Sequence, residues 1–437
     1  MALNPIIGGA IFVLWNRQTG LTVDVRGPVP AAHVPVEHNI TEEAALSASA
    51  DDDLRVTMLV DEDQLVAQGA PIFRLRHHPD IVQVAPMAGR VAVVDLAPGR
   101  RLSEIRFFHE NDGDRHQYAP NAAHKSGDAL RLLLMESGLW LALRSRPFGR
   151  APLPGEEPAA IFIAGLDTKP LAPNPALSVK GREEDVARGI AQLLRLTHGP
   201  VYLCQAGDAG EGFAEFAPND RIRRLKVAPV HPWGLPGFLV HQHHPATLSR
   251  PVWDIHLEDV AAIGALFATG LVPQTRLISF AGPAVTDARL LRCQPGADLR
   301  SLCYGRVTHG PHIALSGSPL EGRARRWLGA RDRQVSVMNA GASDQRDHWL
   351  VSALKQASRP RPIIPTAAIE RALGGALPAL ALLRALAVGD RETATRLGAL
   401  SLVGEDLTLA DYVTCAAPRH SALLDNMLRE IAKEEAS

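Results

Sequence analysis

The chain has 437 residues, 46% of them apolar, with 46 Lys and Arg set against 47 Asp and Glu. That length exceeds one ordinary domain of roughly 100–200 residues and predicts about three folding units, with enough apolar residues to build their cores. A formal net charge of −1 is too balanced for a polyanion binder, which argues against nucleic acid as a partner.

The first long apolar run, Ile6 to Trp15, is ten residues, about half of what a spanning helix needs, and it lacks a basic start and a cleavage site. A later run, Gly374 to Val388, is broken by Pro378 and Arg384. The expectation is a soluble, unsecreted chain without a transmembrane segment. Four cysteines, Cys204, Cys293, Cys303 and Cys415, lie far apart with no C-x-x-C, so buried thiols are expected rather than a disulfide frame or an iron–sulfur cluster. The histidines at 241, 243 and 244, and at 309 and 312, sit in Pro- and Gly-rich sequence without Cys, Asp or Glu at ligand spacing. They read as loop polarity and not as a metal site.

Residues 1–118 read as all-β. Val66 to Phe73 has the form V-x-x-G-x-P-I-F, and Ala85 to Val91 the form A-P-x-x-G-x-V. Glycines at tight turns between Val- and Ile-rich strands are how lipoyl and biotinyl carrier folds, the barrel-sandwich hybrids, are written. A carrier needs a modifiable lysine at a hairpin tip, and no lysine occurs before Lys125. The module is therefore structural and unmodified.

Residues 119–272 read as a Rossmann-like parallel α/β domain. Leu130, Leu133 and Leu134 share one helical face. Strand 161–164, helix 183–197 with Val186, Ile190, Leu193 and Leu194 on one side, and strand 201–204 form a right-handed crossover unit. A further strand is expected at Phe238 to His241. A helix from about Glu258 to Thr269 is closed by Gly270, with Pro273 beyond. Residues 273–335 return to short strands around a helical turn near Leu299, which suggests a β-grasp. Residues 336–437 are helical, with Pro378 at a helix start, Gly389 at its end, Asp390 capping the next helix, and a stripe of Leu424, Met427, Leu428 and Ile431. The whole is an α/β and α+β multidomain chain.

The chain is organised around 135–175. Ile161 to Ala164 opens into the loop Gly165-Leu166-Asp167-Thr168-Lys169-Pro170, where an α/β sheet places a ligand at its carboxyl edge. The phrases ESGLWLALRSRPF (136–148), AIFIAGLDTKPLAPNP (160–175), VWDIHLEDVAAIGALFATG (252–270) and LPALALLRALAVGD (377–390) resemble the NqrA family of the Na+-translocating NADH:quinone oxidoreductases. The domain order is similar too: barrel-sandwich hybrid, Rossmann-like domain, SLBB-type β-grasp and helical tail. The resemblance implies a peripheral subunit on the cytoplasmic side of the inner membrane, in a six-subunit complex (A to F), most directly against an integral-membrane B-type subunit. It implies that NADH, flavins, an iron–sulfur centre, ubiquinone and the sodium path are handled on other subunits.

More distant subunits of similar fold, in complex I and the Rnf complex, hold FMN and NADH with a glycine-rich loop at the place of residues 136–144. Such glycines let backbone N–H groups approach the flavin closely. Here only Gly138 remains, followed by Trp140 and Leu141, so the expectation is the flavin-binding fold with no FMN. Trp140, Arg144, Arg146, Asp167 and Lys169 are the candidate contacts. They suit a quinone headgroup, a nucleotide phosphate or an acidic patch on a neighbouring subunit, or else the arginines pair with local acids such as Glu156 and Glu157. Arg221 to Arg224 and Arg323 to Arg326 are basic clusters that suit anionic lipid or a solvated face. No G-x-S-x-G, H-E-x-x-H or P-loop occurs; no catalytic residue is expected on this chain. Against the resemblance, Met1 to Thr41 lacks the compact basic start of the family, 341–363 is short, and Val413 to Arg419 replaces a Cys-Pro-Gly-Lys run. These departures leave a second reading open, an adaptor in a related electron-delivery complex that serves another acceptor such as an oxygenase.

Overall fold

The computed structural model describes residues 18–30, 34–48, 54–110, 114–207, 219–340 and 363–435. The run Ile6 to Trp15, and the departures at Met1 to Thr41 and 341–363, lie wholly or partly outside those residues.

Strand β1 (Glu37–His38) precedes a β-rich unit built from β2 (Glu43–Ser47), β3 (Val56–Met58), β4 (Leu65–Val66), β5 (Pro71–Leu75), β6 (Val82–Val84), β7 (Gly89–Ala97) and β8 (Arg101–His109). Two sheets, in the orders β2-β8-β7-β4 and β3-β5-β6, close on one core of Val56, Ile72, Met87, Val91, Ile105 and Phe107. Ile105 and Phe107 are two apart on β8, so the pleat sends both inward. Register breaks between β7 and β8 bend the long hairpin over that core. This is the barrel-sandwich hybrid.

The α/β unit comprises α1 (Gly127–Glu136), β9 (Arg144–Arg146), β10 (Ala160–Ala164), α2 (Glu183–Leu196), β11 (Val201–Ala206), β12 (Ile222–Val227), α3 (Pro236–His243), β13 (Val252–His256) and α4 (Leu257–Thr269). Its sheet runs β12-β11-β10-β13-β9, parallel except for β9, which is antiparallel to β13. Acids at 183–185 in the first turn of α2 and Arg195 in its last complement the helix dipole. Helices α2 and α4 cross closely enough that a Cβ at Gly264 would lie 1.8 Å from the Asp185 carbonyl oxygen and one at Gly189 2.0 Å from that of Val260.

Two expectations are corrected here. Phe238 to His241 is part of helix α3, not a strand. Pro236 occupies its first turn, and a short unbroken apolar block carries no period that separates a buried strand from a buried helix. His241 and His243 are consequently helical, and His244 caps the helix; none is loop polarity. The cluster Arg221 to Arg224 runs into edge strand β12, with Arg223 and Arg224 exposed.

The third unit holds β14 (Arg276–Ala281), β15 (Arg289–Cys293), α5 (Leu299–Cys303), β16 (His312–Ser316), β17 (Arg323–Ala324) and β18 (Gln334–Asn339), in the order β1-β15-β14-β18-β16-β17. Strand β1, from the N-terminal segment, pairs with β15 at Glu37↔Leu291, so the sheet borrows an edge from well outside 273–335.

Helices α6 (Ala367–Ala372), α7 (Ala379–Val388), α8 (Arg391–Arg396), α9 (Thr408–Thr414) and α10 (His420–Glu435) follow. Gly389, at φ 73°, ends α7, and Asp390 caps α8 by accepting from the Thr393 amide. Leu424, Met427, Leu428 and Ile431 are buried. These helices form the second layer of the α/β sheet. Along β10, Ile161 and Ile163 pack with the α1, α2 and α4 side, while Ala160 and Phe162 pack with the C-terminal helices. Of the cysteines, Cys204, Cys293 and Cys303 are buried and Cys415 is exposed. No described helix is long and apolar enough to cross a membrane.

Candidate functional site

From β10 the chain passes to β11 on one side and later returns to β13 on the other. The carboxyl ends of β10 and β13 therefore flank the topological switch point, where open α/β sheets leave a ligand crevice. In this chain the crevice is occupied by ion pairs.

Asp254, in the middle of β13, is buried. It accepts from Arg144 Nε at 3.0 and 3.1 Å, from Arg144 Nη2 at 2.9 Å and from Arg146 Nε at 2.8 Å. Both arginines come from the antiparallel edge strand β9, whose register sets Arg144 opposite Asp254. Arg146, with no exposed side-chain surface, continues through Nη1 to Asp406 Oδ2 at 2.7 Å and the Ser401 carbonyl at 2.8 Å. Arg144 Nη1 reaches Glu405 at 2.8 Å. On the β10 side, the Lys169 ammonium lies 3.6 Å from Asp167 and 3.5 Å from Glu321 of the β-grasp. The Lys169 amide donates to Asp167 Oδ1 at 2.9 Å. Arg333, just before β18, donates to Asp259 at 2.6 Å.

Burial by itself would raise the Asp254 carboxyl, but Arg144 and Arg146 hold it below its ordinary range. Glu405 behaves likewise: Arg144 and then Lys169 outweigh desolvation and leave it at about 2. Burial keeps Asp167 and Glu321 above the usual carboxylate range despite Lys169. His256, which caps α4 by accepting from the Glu258 amide, is pulled to about 3 by burial and then by Arg333, and His231 falls to about 4, mainly through burial. The histidines are neutral acceptors or donors here, not titrating acids.

The remaining space is about 90 Å3, lined by Arg144, Leu166, Asp167, Lys169, Arg333 and Glu405 among others. A cavity of roughly 150 Å3 is what one benzene ring fills, so this space is smaller than a single aromatic ring needs. Among the described residues no cluster of His, Cys, Asp or Glu is arranged to hold a metal.

Of the five candidates, Arg144, Asp167 and Lys169 converge on the crevice, Arg146 lies beneath it, and Trp140 lies elsewhere. Trp140 is buried in the core, edge-on to Trp253 at 5.3 Å, with its Nε1 donating to the Pro152 carbonyl at 2.8 Å. The pairing expected with Glu156 is corrected: that carboxylate accepts from Trp253 Nε1 at 2.6 Å, and the acids that neutralise Arg144 and Arg146 are Asp254, Glu405 and Asp406. Sequence reasoning passed over these three. Asp254 did carry a signal, since an ionisable residue inside the apolar strand V-W-D-I-H must find a buried partner. The second basic cluster is likewise partly neutralised, as Arg326 pairs with Glu43 and, at 3.5 Å, with Asp298.

Three family models match this chain: the NqrA N-terminal barrel-sandwich hybrid domain over 17–109, the NqrA second alpha/beta domain over 125–272, and the NQRA C-terminal domain, an SLBB type, over 277–326. The NqrA protein of the Na(+)-translocating NADH-quinone reductase from Neisseria meningitidis is 33% identical over 426 residues, covering 90% of this chain and 94% of the relative. The chain belongs to the NqrA family. The corresponding proteins from Yersinia pseudotuberculosis and Cellvibrio japonicus are 31% and 32% identical over 411 residues, each covering 87% of this chain and 91% of the relative. Among solved structures, an NAD+-reducing [NiFe]-hydrogenase covers 70% of this chain and 63% of its own at 13% identity and a TM-score of 0.36, too distant to bear on function. All five candidate residues, and Asp254, fall within the NqrA second alpha/beta domain. Glu405 and Asp406 lie beyond the three matched segments, in the C-terminal layer that closes the crevice.

Proposed function

We propose that this chain is a non-redox, peripheral subunit of a Na+-translocating NADH:quinone oxidoreductase, held on the cytoplasmic face of the inner membrane by an integral-membrane B-type subunit. Electron transfer from NADH to ubiquinone and sodium export then run through flavins and an iron–sulfur centre on companion subunits. The observation that carries this reading is the crevice: family relatives over 90% of the chain are named for a redox complex, while the switch point where this fold would hold a flavin is filled by Arg144, Asp254 and Glu405. A buried, internally neutralised network offers neither the phosphate donors nor the room that FMN requires. Arg144, Asp167 and Lys169 are the residues that a partner's side chain, or the edge of a quinone headgroup held at the mouth of the crevice, would meet. Arg146 supports them from below, and Trp140 belongs to the adjoining core.

The test has two arms. Mild extraction from native membranes is expected to bring down five companions, one of them membrane-integral. The separated chain is expected to show no flavin absorption. Stoichiometric flavin on this chain, or recovery with an unrelated oxygenase in place of the companions, overturns the proposal.

A further inference from the structure

A second hollow lies one wall away from the crevice, sharing Ala142, Asp259 and Arg331 with it. It is a cavity of about 230 Å3 where the barrel, the α/β unit and the β-grasp meet. Phe73 and Val84 form its barrel side, and Leu141 and Ala262 its α/β side. Scaling from the roughly 150 Å3 that accommodates benzene gives room for an apolar body of about nine or ten heavy atoms.

The β-grasp side is closed by two guanidiniums, Arg276 and Arg331. Among the described residues neither forms an ion pair. Arg276 donates through Nη1 to the Ala330 carbonyl, and its buried Nε has no partner. Arg331 donates through Nη2 to the carbonyls of Leu141 at 3.2 Å and Leu143 at 2.8 Å. The carboxylates on the same wall are already neutralised: Glu258 by Arg292 at 3.2 Å and Arg333 at 3.7 Å, and Asp259 by Arg333 at 2.6 Å. Arg182 pairs with Asp185 at 3.5 Å. Four guanidiniums thus face two carboxylates, and the surplus positive charge borders an apolar cavity. Burial, with Arg333 nearby, lowers Arg276 to about 10, which still leaves it charged at neutral pH. A partly desolvated cation that meets only carbonyls and no carboxylate is costly to hold, and one anionic oxygen pair would relieve it with charge-assisted hydrogen bonds.

We propose that this cavity binds a small organic anion, whose apolar body of bicyclic size lies between the barrel and the 138–142 segment and whose carboxylate, sulfonate or phosphate is held by Arg276 and Arg331. Because three units supply its walls, the bound anion also ties them together.

The probe is 2-naphthoate, with 2-naphthalenemethanol as its neutral counterpart, each titrated calorimetrically into the full chain. Naphthoate is expected to bind once per chain and at least about ten-fold tighter than the alcohol. Arg331→Gln is the decisive variant, because Arg331 is the more exposed of the two guanidiniums. It is expected to weaken naphthoate about ten-fold and to leave the alcohol unchanged, while the distant, exposed Arg300→Gln changes neither. Arg276→Gln should match Arg331→Gln, judged only if its circular dichroism and melting temperature are those of the parent. Absence of naphthoate binding, equal affinity for the two probes, or full affinity in Arg331→Gln overturns the assignment. None of these outcomes bears on flavin absorption or on the companions recovered from membranes.

Discussion

The two hollows beside Ala142 differ in what fills them. At the switch point, side chains from β9, β13, the 165–170 loop, the β-grasp and the C-terminal turn converge on about 90 Å3, and the arginines there meet carboxylates. Next door, about 230 Å3 stays open, apolar on most sides, with two guanidiniums that meet only carbonyls. In the first hollow charge pairing fills the space; in the second nothing does. Arg144, Arg146 and Lys169 of the α/β unit meet carboxylates from their own sheet, the β-grasp and the C-terminal turn, whereas an apolar cavity has nothing comparably directional to draw its walls together.

The largest effect that would sharpen this contrast is at Asp254. Asp254→Asn leaves Arg144 and Arg146 buried without their shared carboxylate, and urea unfolding is expected to show a loss of about 3–5 kcal/mol. A loss under about 1 kcal/mol would mean the crevice is held shut by apolar packing. Glu405→Gln touches only the partly exposed end of the network, so about 1–2 kcal/mol is expected after allowing for solvent screening. A double-mutant cycle with Arg144→Gln should recover most of it as coupling.

The open hollow is probed by Gly138→Ala. Gly138 has φ 75°, and a Cβ there would stand 3.1 Å from a Val84 methyl; about 1–2 kcal/mol is expected from the left-handed backbone alone. If the variant is neutral, the barrel and the α/β unit meet along a wall loose enough to absorb a methyl group.

The most gradual effect concerns pH. His256 is at about 3 and His231 at about 4 in the folded chain, against an ordinary value near 6.5 when unfolded. The unfolded state therefore binds the extra protons, and stability falls as pH drops from about 6.5. Each group contributes at most about 1.4 kcal/mol per pH unit. Glu405, depressed to about 2, and Asp254 act in the same direction but only below about pH 4.5. Melting temperatures taken from pH 7 to pH 5 should fall, and His256→Asn, whose Oδ1 can replace the ring Nδ1 as the acceptor that caps α4, should flatten that slope. An unchanged slope would place the titration elsewhere.

Much of this architecture is legible residue by residue. The turn glycines of the barrel, the apolar face of α2, the Gly389 stop and the Asp390 cap are local rules applied to local neighbours. The α3 block misleads because its apolar residues stand in a row and have no period to read. Strand β1 escapes a local reading because only its partner β15, more than 250 residues later, makes it a strand.

By itself, then, the sequence determined the kinds of unit and their order, the core faces of the helices and strands, and a cluster of charged residues at the carboxyl edge of β10. Only the tertiary structure decided which acids neutralise that cluster. Arg144 and Asp254 are 110 residues apart, and Arg146 and Asp406 are 260 apart. Helical and strand periods extend over a few residues, while ion pairing depends on distance in space, so these partners become identifiable only when the C-terminal helices pack onto the second face of the sheet.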